Sequence, residues 1–349
     1  MRCLAPHRGT VTTSESSDLD PSAVLAAFGL HGSVAGFTEV GGGWSNRVFR
    51  LETEDGAFAV KEVRNPWLLP DWEQWLAEAW AFELTVIAAG IAAPRPVLNP
   101  ATGGCLARVS LSAGGVVPVR VHRWVSGKPL GTGVADPQLA RWSGRILATL
   151  HGLQVRPDDR SLFPFPNTDN ADRWAELTEA AYRSGADWAG LMSAAAPSVS
   201  VIAELVRSGG HLPGQEVMSH GDLDQKNVIA TGNGPVLCDW DLAHPVVPRR
   251  ELADVAMSMA CWRDMDVARE VVRAYRAHGG DDTDFEPADL GHPMTGRLDW
   301  IAMNADRALG QWPASTAEVA QAREILPRLL AAFPADVATA QRIAELLRI

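Results

Sequence analysis

His220-Gly-Asp-Leu-Asp-Gln-Lys-Asn227 is the stretch that most constrains this chain, and its spacing is His-x-Asp-Leu-x-x-x-Asn. Asp239 follows twelve residues after Asn227, at the end of an apolar run in Val236-Leu-Cys-Asp-Trp-Asp241. Two carboxylates and one amide on adjacent turns can hold a divalent ion, place a hydroxyl in line and stabilise developing charge. Phosphoryl transfer asks little else of a protein. The competing reading is a surface turn in which Asp222 and Asp224 cap a helix and Asn227 closes a bend. The full octad, followed at short range by Leu237-Cys-Asp-Trp, argues against it.

Bulk properties set the frame. The chain has 349 residues, long for one core, which predicts two lobes. With 46% hydrophobic and 21% charged residues it reads as globular rather than disordered. No unbroken apolar run reaches the roughly 18 residues that span a bilayer, and the first residues lack the apolar core of a secretory signal. Cys3, Cys105, Cys238 and Cys261 are scattered with no Cys-x-x-Cys pair, as expected of reduced thiols in the cytoplasm. A net charge of −11 speaks against nucleic acid as a partner and suits a cationic small substrate. Only Lys61, Lys128 and Lys226 are lysines among 31 basic residues, so a lysine inside a motif implies a need for a compact ammonium.

Along the chain, residues 1–19 are polar and expected to form a flexible tail. Asp20-Pro21 opens a short helix ending near Gly29. Alternation predicts a strand around 48–53, a turn at Glu54-Asp55-Gly56 and a return strand over 57–63. A long helix is expected over 70–89, then strands near 105–111 and 116–124. Ser126-Gly127-Lys128-Pro129 breaks the pattern. The division is therefore a nucleotide-binding N-lobe over 20–121, a hinge over 122–128, and a mainly helical C-lobe over 129–349. Helices are predicted over 136–151, 174–192, 199–206, 250–278, 296–309 and 316 onward.

The Gly41-Gly42-Gly43 turn suits backbone approach to phosphate oxygens, with a tight hairpin as the plainer reading. Lys61 in Ala-Val-Lys lies on the following strand, where a phosphate-binding lysine belongs. It needs an acidic partner from the 70–89 helix. Glu78, near apolar Trp75, Leu76 and Ala79, is the expected partner, with Glu83 as its rival.

These pieces together resemble the aminoglycoside phosphotransferase family, relatives of choline kinases and more distantly of protein kinases. The matching segments are 41–46, 59–61, 89–96, 124–127, 147–151, 219–227, 237–241 and 251–256, in family order across roughly residues 35 to 260. The resemblance implies an α+β protein-kinase-like two-lobe fold, a small N-lobe with an antiparallel sheet plus one helix beside a larger helical C-lobe. It implies Asp222 as the catalytic aspartate, Asn227 and Asp239 as magnesium ligands and His220 as a loop brace. Lys61 with Glu78, and the loop carrying Gly42, Gly43, Ser45 and Asn46, would hold the phosphates of ATP or GTP. Residues His122 to Trp124 would meet the purine, and Asp254 would brace the catalytic loop. Lys226 stands two residues beyond the position where protein kinases often carry a lysine. Either contact with the γ-phosphate or simple exposure fits it.

Fourteen residues lie between Asp239 and Asp254, too few for a peptide-docking activation segment. The acceptor is therefore expected to be a small molecule, with no nucleic acid or membrane partner. The helices after 160 would build its pocket, contributing Asp187, Asp264, Asp266, Asp299 and Asp306 with Trp174, Trp188, Trp262 and Trp300. The leading expectation is an antibiotic kinase for an aminoglycoside, nucleoside or peptide compound, conferring resistance. The alternative is a metabolic kinase of choline, an amino acid or a sugar. A nucleotide-binding pseudokinase is disfavoured because Asp222, Asn227, Asp239 and Lys61 are all present.

Overall fold

The structure is a computed structural model that describes residues 19–40, 46–64, 70–112, 114–163 and 171–348. Helix α1 (Pro21–Phe28) starts where the Asp20 carboxylate accepts a hydrogen bond from the Ser22 N–H at 2.9 Å. Strands β1 (Val34–Val40), β2 (Arg47–Thr53) and β3 (Gly56–Glu62) follow, then α2 (Trp72–Ala88), β4 (Pro96–Val97), β5 (Ala107–Ser110) and β6 (Val116–Arg123). They form an antiparallel sheet in the order β1-β2-β3-β6-β4, with β5 also on β6. Strands β1 and β4 and the packing of α1 go beyond what periodicity indicated. One face of each strand is apolar: Phe49, Leu51, Phe58, Val60, Val119 and Val121 meet Val24, Leu25 and Phe28 of α1 in a closed cluster.

Two expected boundaries shift. Leu19, placed in the flexible tail, is 3% exposed and bridges Leu111. His122 and Arg123, placed in the hinge, are still strand, paired with Ala59 and Phe58. Beyond them the chain enters β7 (Lys128–Pro129), α3 (Pro137–Gly152), α4 (Ala171–Ser184) and α5 (Ala189–Gly209). Next come β8 (Val217–Ser219), β9 (Val228–Thr231), β10 (Gly234–Leu237) and β11 (His244–Val246). Helices α6 (Pro248–Met259), α7 (Met265–Ala277), α8 (Gly291–Ala308), α9 (Thr316–Gln341) and α10 (Ile343–Leu346) complete the lobe.

The helices expected over 174–192 and 250–278 are each broken in two. The first breaks at Gly185, and α5 then absorbs the segment expected at 199–206. The second breaks at Cys261 and Trp262, both left-handed with φ of 47° and 59°. There the Met259 carbonyl, at the end of α6, accepts from the Ala135 N–H at 2.8 Å and the Gln225 amide at 3.1 Å. The helix end is thereby tied to the 220–227 octad. Helix α5 is long and apolar enough to cross a membrane by length and composition, although its serines, Pro197, Glu204 and Arg207 leave no unbroken apolar run of that length. Its buried residues, among them Met192, Ile202 and Leu205, belong to the main helical core.

The inner stripe of α2 (Ala79, Phe82, Val86) joins that same core rather than the α1 cluster, so α2 links the two lobes. Helices α3 and α7 cross at Gly144. A methyl group there would lie 2.3 Å from the Val271 carbonyl oxygen and 2.9 Å from Ala274 Cβ. Gly144→Ala is therefore expected to cost about 1–3 kcal/mol through overpacking. Urea unfolding should show a lower midpoint with an unchanged slope.

Candidate active site

The octad turn hangs between paired strands. β8 is wholly buried and runs antiparallel to β11, with Ser219 opposite His244. His220 is 0% exposed. Its Nδ1 accepts from the Asp222 N–H at 3.2 Å, so its Nε2–H donates to the Cys238 carbonyl at 2.9 Å. Burial lowers its pKa in spite of the acids around it, which keeps the ring neutral, as this bonding requires. Gly221 sits at φ 72°, and a Cβ there would meet the His244 ring at 2.3 Å, so only glycine lets the loop press this close.

Asp222 is held from two sides. Asn227 Nδ2 donates to its carbonyl at 2.7 Å and to Oδ2 at 2.9 Å, while Lys226 Nζ donates to Oδ1 at 2.7 Å. Asp224 caps the tight turn over 225–227 by accepting from the Lys226 N–H at 3.1 Å. The Cys238 N–H donates to the Asn227 carbonyl at 2.8 Å, so the octad and the Asp239 turn lie side by side.

Asp239 adopts left-handed backbone, φ 66° and ψ 57°, a conformation sparsely used outside glycine and often found at functional turns. Lys61 Nζ, from β3, reaches Asp239 Oδ1 at 2.6 Å and Asp241 Oδ2 at 2.7 Å. Burial works against the Lys61 ammonium, but Asp239 and Asp241 outweigh it and hold its pKa above the ordinary value. Beside Lys61 in the β3–β6 register stands Arg120, 1% exposed, which pairs with Asp241 and with Glu83 Oε2 at 2.7 Å. Glu83 also meets His122 Nε2 at 3.0 Å. Asn46 Nδ2 completes the cluster at 3.4 Å from Asp241, while its Oδ1 accepts from the Arg64 N–H.

The expected Lys61–Glu78 pair is absent. Glu78 accepts instead from the Asp158 N–H at 3.3 Å, at the lobe surface. Glu83 is the inward acid of α2, because it shares the stripe of Leu76, Ala79 and Val86. Its partners are Arg120 and His122, however, not Lys61. The brace expected of Asp254 falls to Glu251, one helical turn earlier. Its Oε1 accepts from the Gly221 N–H at 2.8 Å, and its Oε2 meets His151 Nε2 at 2.7 Å. His151 Nδ1 reaches the Tyr275 hydroxyl at 2.8 Å. The Asp254 side chain makes no hydrogen bond among the described residues. Burial, with Asp222 and Glu251 nearby, pushes its carboxyl up to about 7.

Trp124 donates its N–H to the Ala57 carbonyl at 2.9 Å and lies under the Arg50 guanidinium, at the end of the sheet. Gly42, Gly43 and Ser45 fall outside the described residues. Of the residues expected around the acceptor, Trp174 and Trp188 are core, Asp264 caps α7, and Asp266 and Asp306 pair with Arg269 and Arg173. Trp262 lies beneath Arg297. Asp299 is raised by burial to about 6. Sequence reasoning missed Arg120, Glu251, His151 and Tyr275. The alternation that puts Arg120 and His122 on one face of β6 was the available signal.

The donor set fits a magnesium ion held with nucleotide phosphates. Asn227 spends its amide nitrogen on Asp222, and its Oδ1 accepts no hydrogen bond among the described residues. The second oxygen of Asp239 is equally uncommitted, and that side chain is 44% exposed. Two protein oxygens completed by phosphate and water are a usual magnesium shell.

Residues 36–290 match the phosphotransferase enzyme family. No curated protein sequence matches. Among solved structures, the fold is similar to spectinomycin phosphotransferase in complex with ADP and spectinomycin. That likeness has a TM-score of 0.63 and 12% identity, covering 90% of this chain and 96% of that one. It is likewise similar to a microcompartment-associated aminopropanol kinase (TM-score 0.61, 14% identity, 92% and 99% covered). An amicoumacin kinase with AMP-PNP and Ca2+ gives a TM-score of 0.56 at 13% identity, with 89% and 94% covered.

Two substitutions test the site's energetics. Glu251→Ala leaves His151 Nε2 and the Gly221 N–H unpaired in a buried position, and should cost about 3–5 kcal/mol in urea unfolding. Asp254→Asn should act in the opposite sense. The folded carboxyl holds its proton up to about 7, against an ordinary aspartate value near 3.8, so ionisation costs the folded state. The penalty is absent below the lower value, grows between the two and is complete above the upper one. At pH 8 the asparagine variant should be more stable by about 1–3 kcal/mol, with the gap closing as pH falls toward 4.

Proposed function

The chain belongs to the phosphotransferase enzyme family and is a phosphotransferase with an alcohol group as acceptor; from that premise we propose that it moves the terminal phosphoryl group of ATP or GTP, with magnesium, to a hydroxyl of a small antibiotic. The observation that carries this reading is convergence. Lys61 of the sheet lobe reaches Asp239 of the helical lobe at 2.6 Å, and the Asp239 turn is bonded to the Asp222 and Asn227 loop. On this reading the phosphate lysine, the two metal-donor side chains and the hydroxyl-orienting carboxylate would act side by side.

Asp222, fixed by Asn227, would accept the hydrogen of the attacking hydroxyl. Asp239 and the Asn227 amide oxygen would hold the ion, which when bound draws charge from the nucleotide phosphates. Lys61 would pass from the carboxylates to phosphate oxygens, and Arg120 would keep Asp241 neutralised as it leaves. The proposed substrate class rests on Asp254, whose charge is disfavoured by burial and by Asp222, Glu251 and Asp224, and favoured by Arg297. An enclosed carboxylate without a hydrogen-bond partner suits an ammonium group on the acceptor. Amine-bearing antibiotics supply one, and so do choline and amino alcohols, the metabolic alternative.

The purified protein with magnesium and ATP or GTP should be screened for nucleoside diphosphate release. The acceptors are aminoglycosides, nucleoside and peptide antibiotics, macrolides, choline and aminopropanol. Turnover should appear with one cationic class, with phosphate added to a hydroxyl. Asp222→Asn should lower it by about 10²–10⁴-fold. Undiminished turnover in that variant would contradict the assigned role of Asp222.

A further inference from the structure

The geometry points to Lys226 as a catalytic cation that leaves Asp222 for the transferred phosphoryl group when the donor is bound, an inference that rests on the kinase reading above. Its Nζ lies 2.7 Å from Asp222 Oδ1 and 3.9 Å from Asp224 Oδ2. Asp222 does not need that contact to stay in place, because Asn227 holds it through both its carbonyl and Oδ2. The lysine instead covers the carboxylate oxygen left over, where an acceptor hydroxyl would bind. An acceptor can enter only if the ammonium shares that oxygen or moves off it.

The pair is built to open. The Lys226 side chain is 37% exposed, and partly exposed ion pairs are weak. In the reaction the acceptor oxygen forms a bond to the γ-phosphorus. The bond from that phosphorus to the bridging oxygen breaks, releasing nucleoside diphosphate, and the hydroxyl proton passes to Asp222. The reacting oxygen must then lie both against Asp222 and about 3–3.5 Å from the phosphorus, which brings the phosphoryl oxygens within a side-chain swing of Nζ. Charge spread over those oxygens is what a compact ammonium stabilises. Lys226 is also one of only three lysines among 31 basic residues.

The test is binding of Mg·AMP-PNP and Mg·ADP to the full chain, followed by titration calorimetry. If Lys226 meets the γ-phosphoryl, Lys226→Ala should weaken AMP-PNP by about tenfold while leaving ADP within about twofold. Nucleotide hydrolysis with water as acceptor should fall by about 10²-fold. Lys226→Arg should recover most of the AMP-PNP affinity. Asp222→Asn should tighten AMP-PNP in the parent chain and not in the Lys226→Ala background, since only the former has a lysine to release. Equal weakening of both nucleotides, or of neither, overturns the inference and leaves the kinase reading standing. A parent chain that binds neither nucleotide overturns both.

Discussion

The Asp241 carboxylate is the joint on which the two lobes depend. It sits in the turn after β10 and meets Lys61 of β3, Arg120 of β6 and Asn46 at the start of β2. Those two cations are neighbours across the β3–β6 register and would repel each other if left alone. Burial penalises the carboxylate, but the surrounding cations hold its pKa well below the ordinary range. Glu83 neutralises the other arm of Arg120 and is itself bonded to His122. Desolvating any one of these groups unpaired would cost several kcal/mol, so the cluster is strongly interdependent. Apolar contacts seat it: the Phe82 ring meets Trp240 edge-on at 6.1 Å, and Trp240 meets His220 at 4.6 Å.

Each of the two lysines in this region is paired with carboxylates. Asp239 is met by Lys61 and Asp222 by Lys226, at 2.6 Å and 2.7 Å. Both lysines come from motifs in a chain that otherwise uses arginine. A nucleotide entering with its metal ion supplies new anions for the lysines and a new cation for the carboxylates. Binding would therefore exchange ion pairs rather than create bare charge. Asp254 stands outside this exchange: no cation pairs with it among the described residues, although Arg297 is near enough to favour its charge.

The octad, Asp239 and Lys61 were legible because their chemistry is local: a short turn fixes the spacing and an adjacent strand carries the lysine. Strands β2, β3, β5 and β6 and the start of α1 were readable from alternation and from Asp20-Pro21. What failed was mostly tertiary. Glu78 and Glu83 both lie on α2, and the inward stripe of Leu76, Ala79 and Val86 selects Glu83. Even so, its partnership with Arg120 depends on β6 lying beside β3, which no local pattern states. Glu251 and Asp254 are one turn apart on α6, and only the packed fold decides that Glu251 reaches Gly221. The break at Cys261 and Trp262 carries no glycine or proline; it arises where the Met259 carbonyl serves Gln225 and Ala135.

The most direct measurement is a crystal structure with AMP-PNP and Mn2+, the ion located by its anomalous signal. The account predicts the ion bonded to the Asp239 carboxylate and the Asn227 amide oxygen, with Lys61 Nζ moved from Asp239 onto phosphate oxygens. An ion seated on Asp222 or Asp254 instead, or nucleotide bound away from an unmoved Lys61–Asp239 pair, would contradict it.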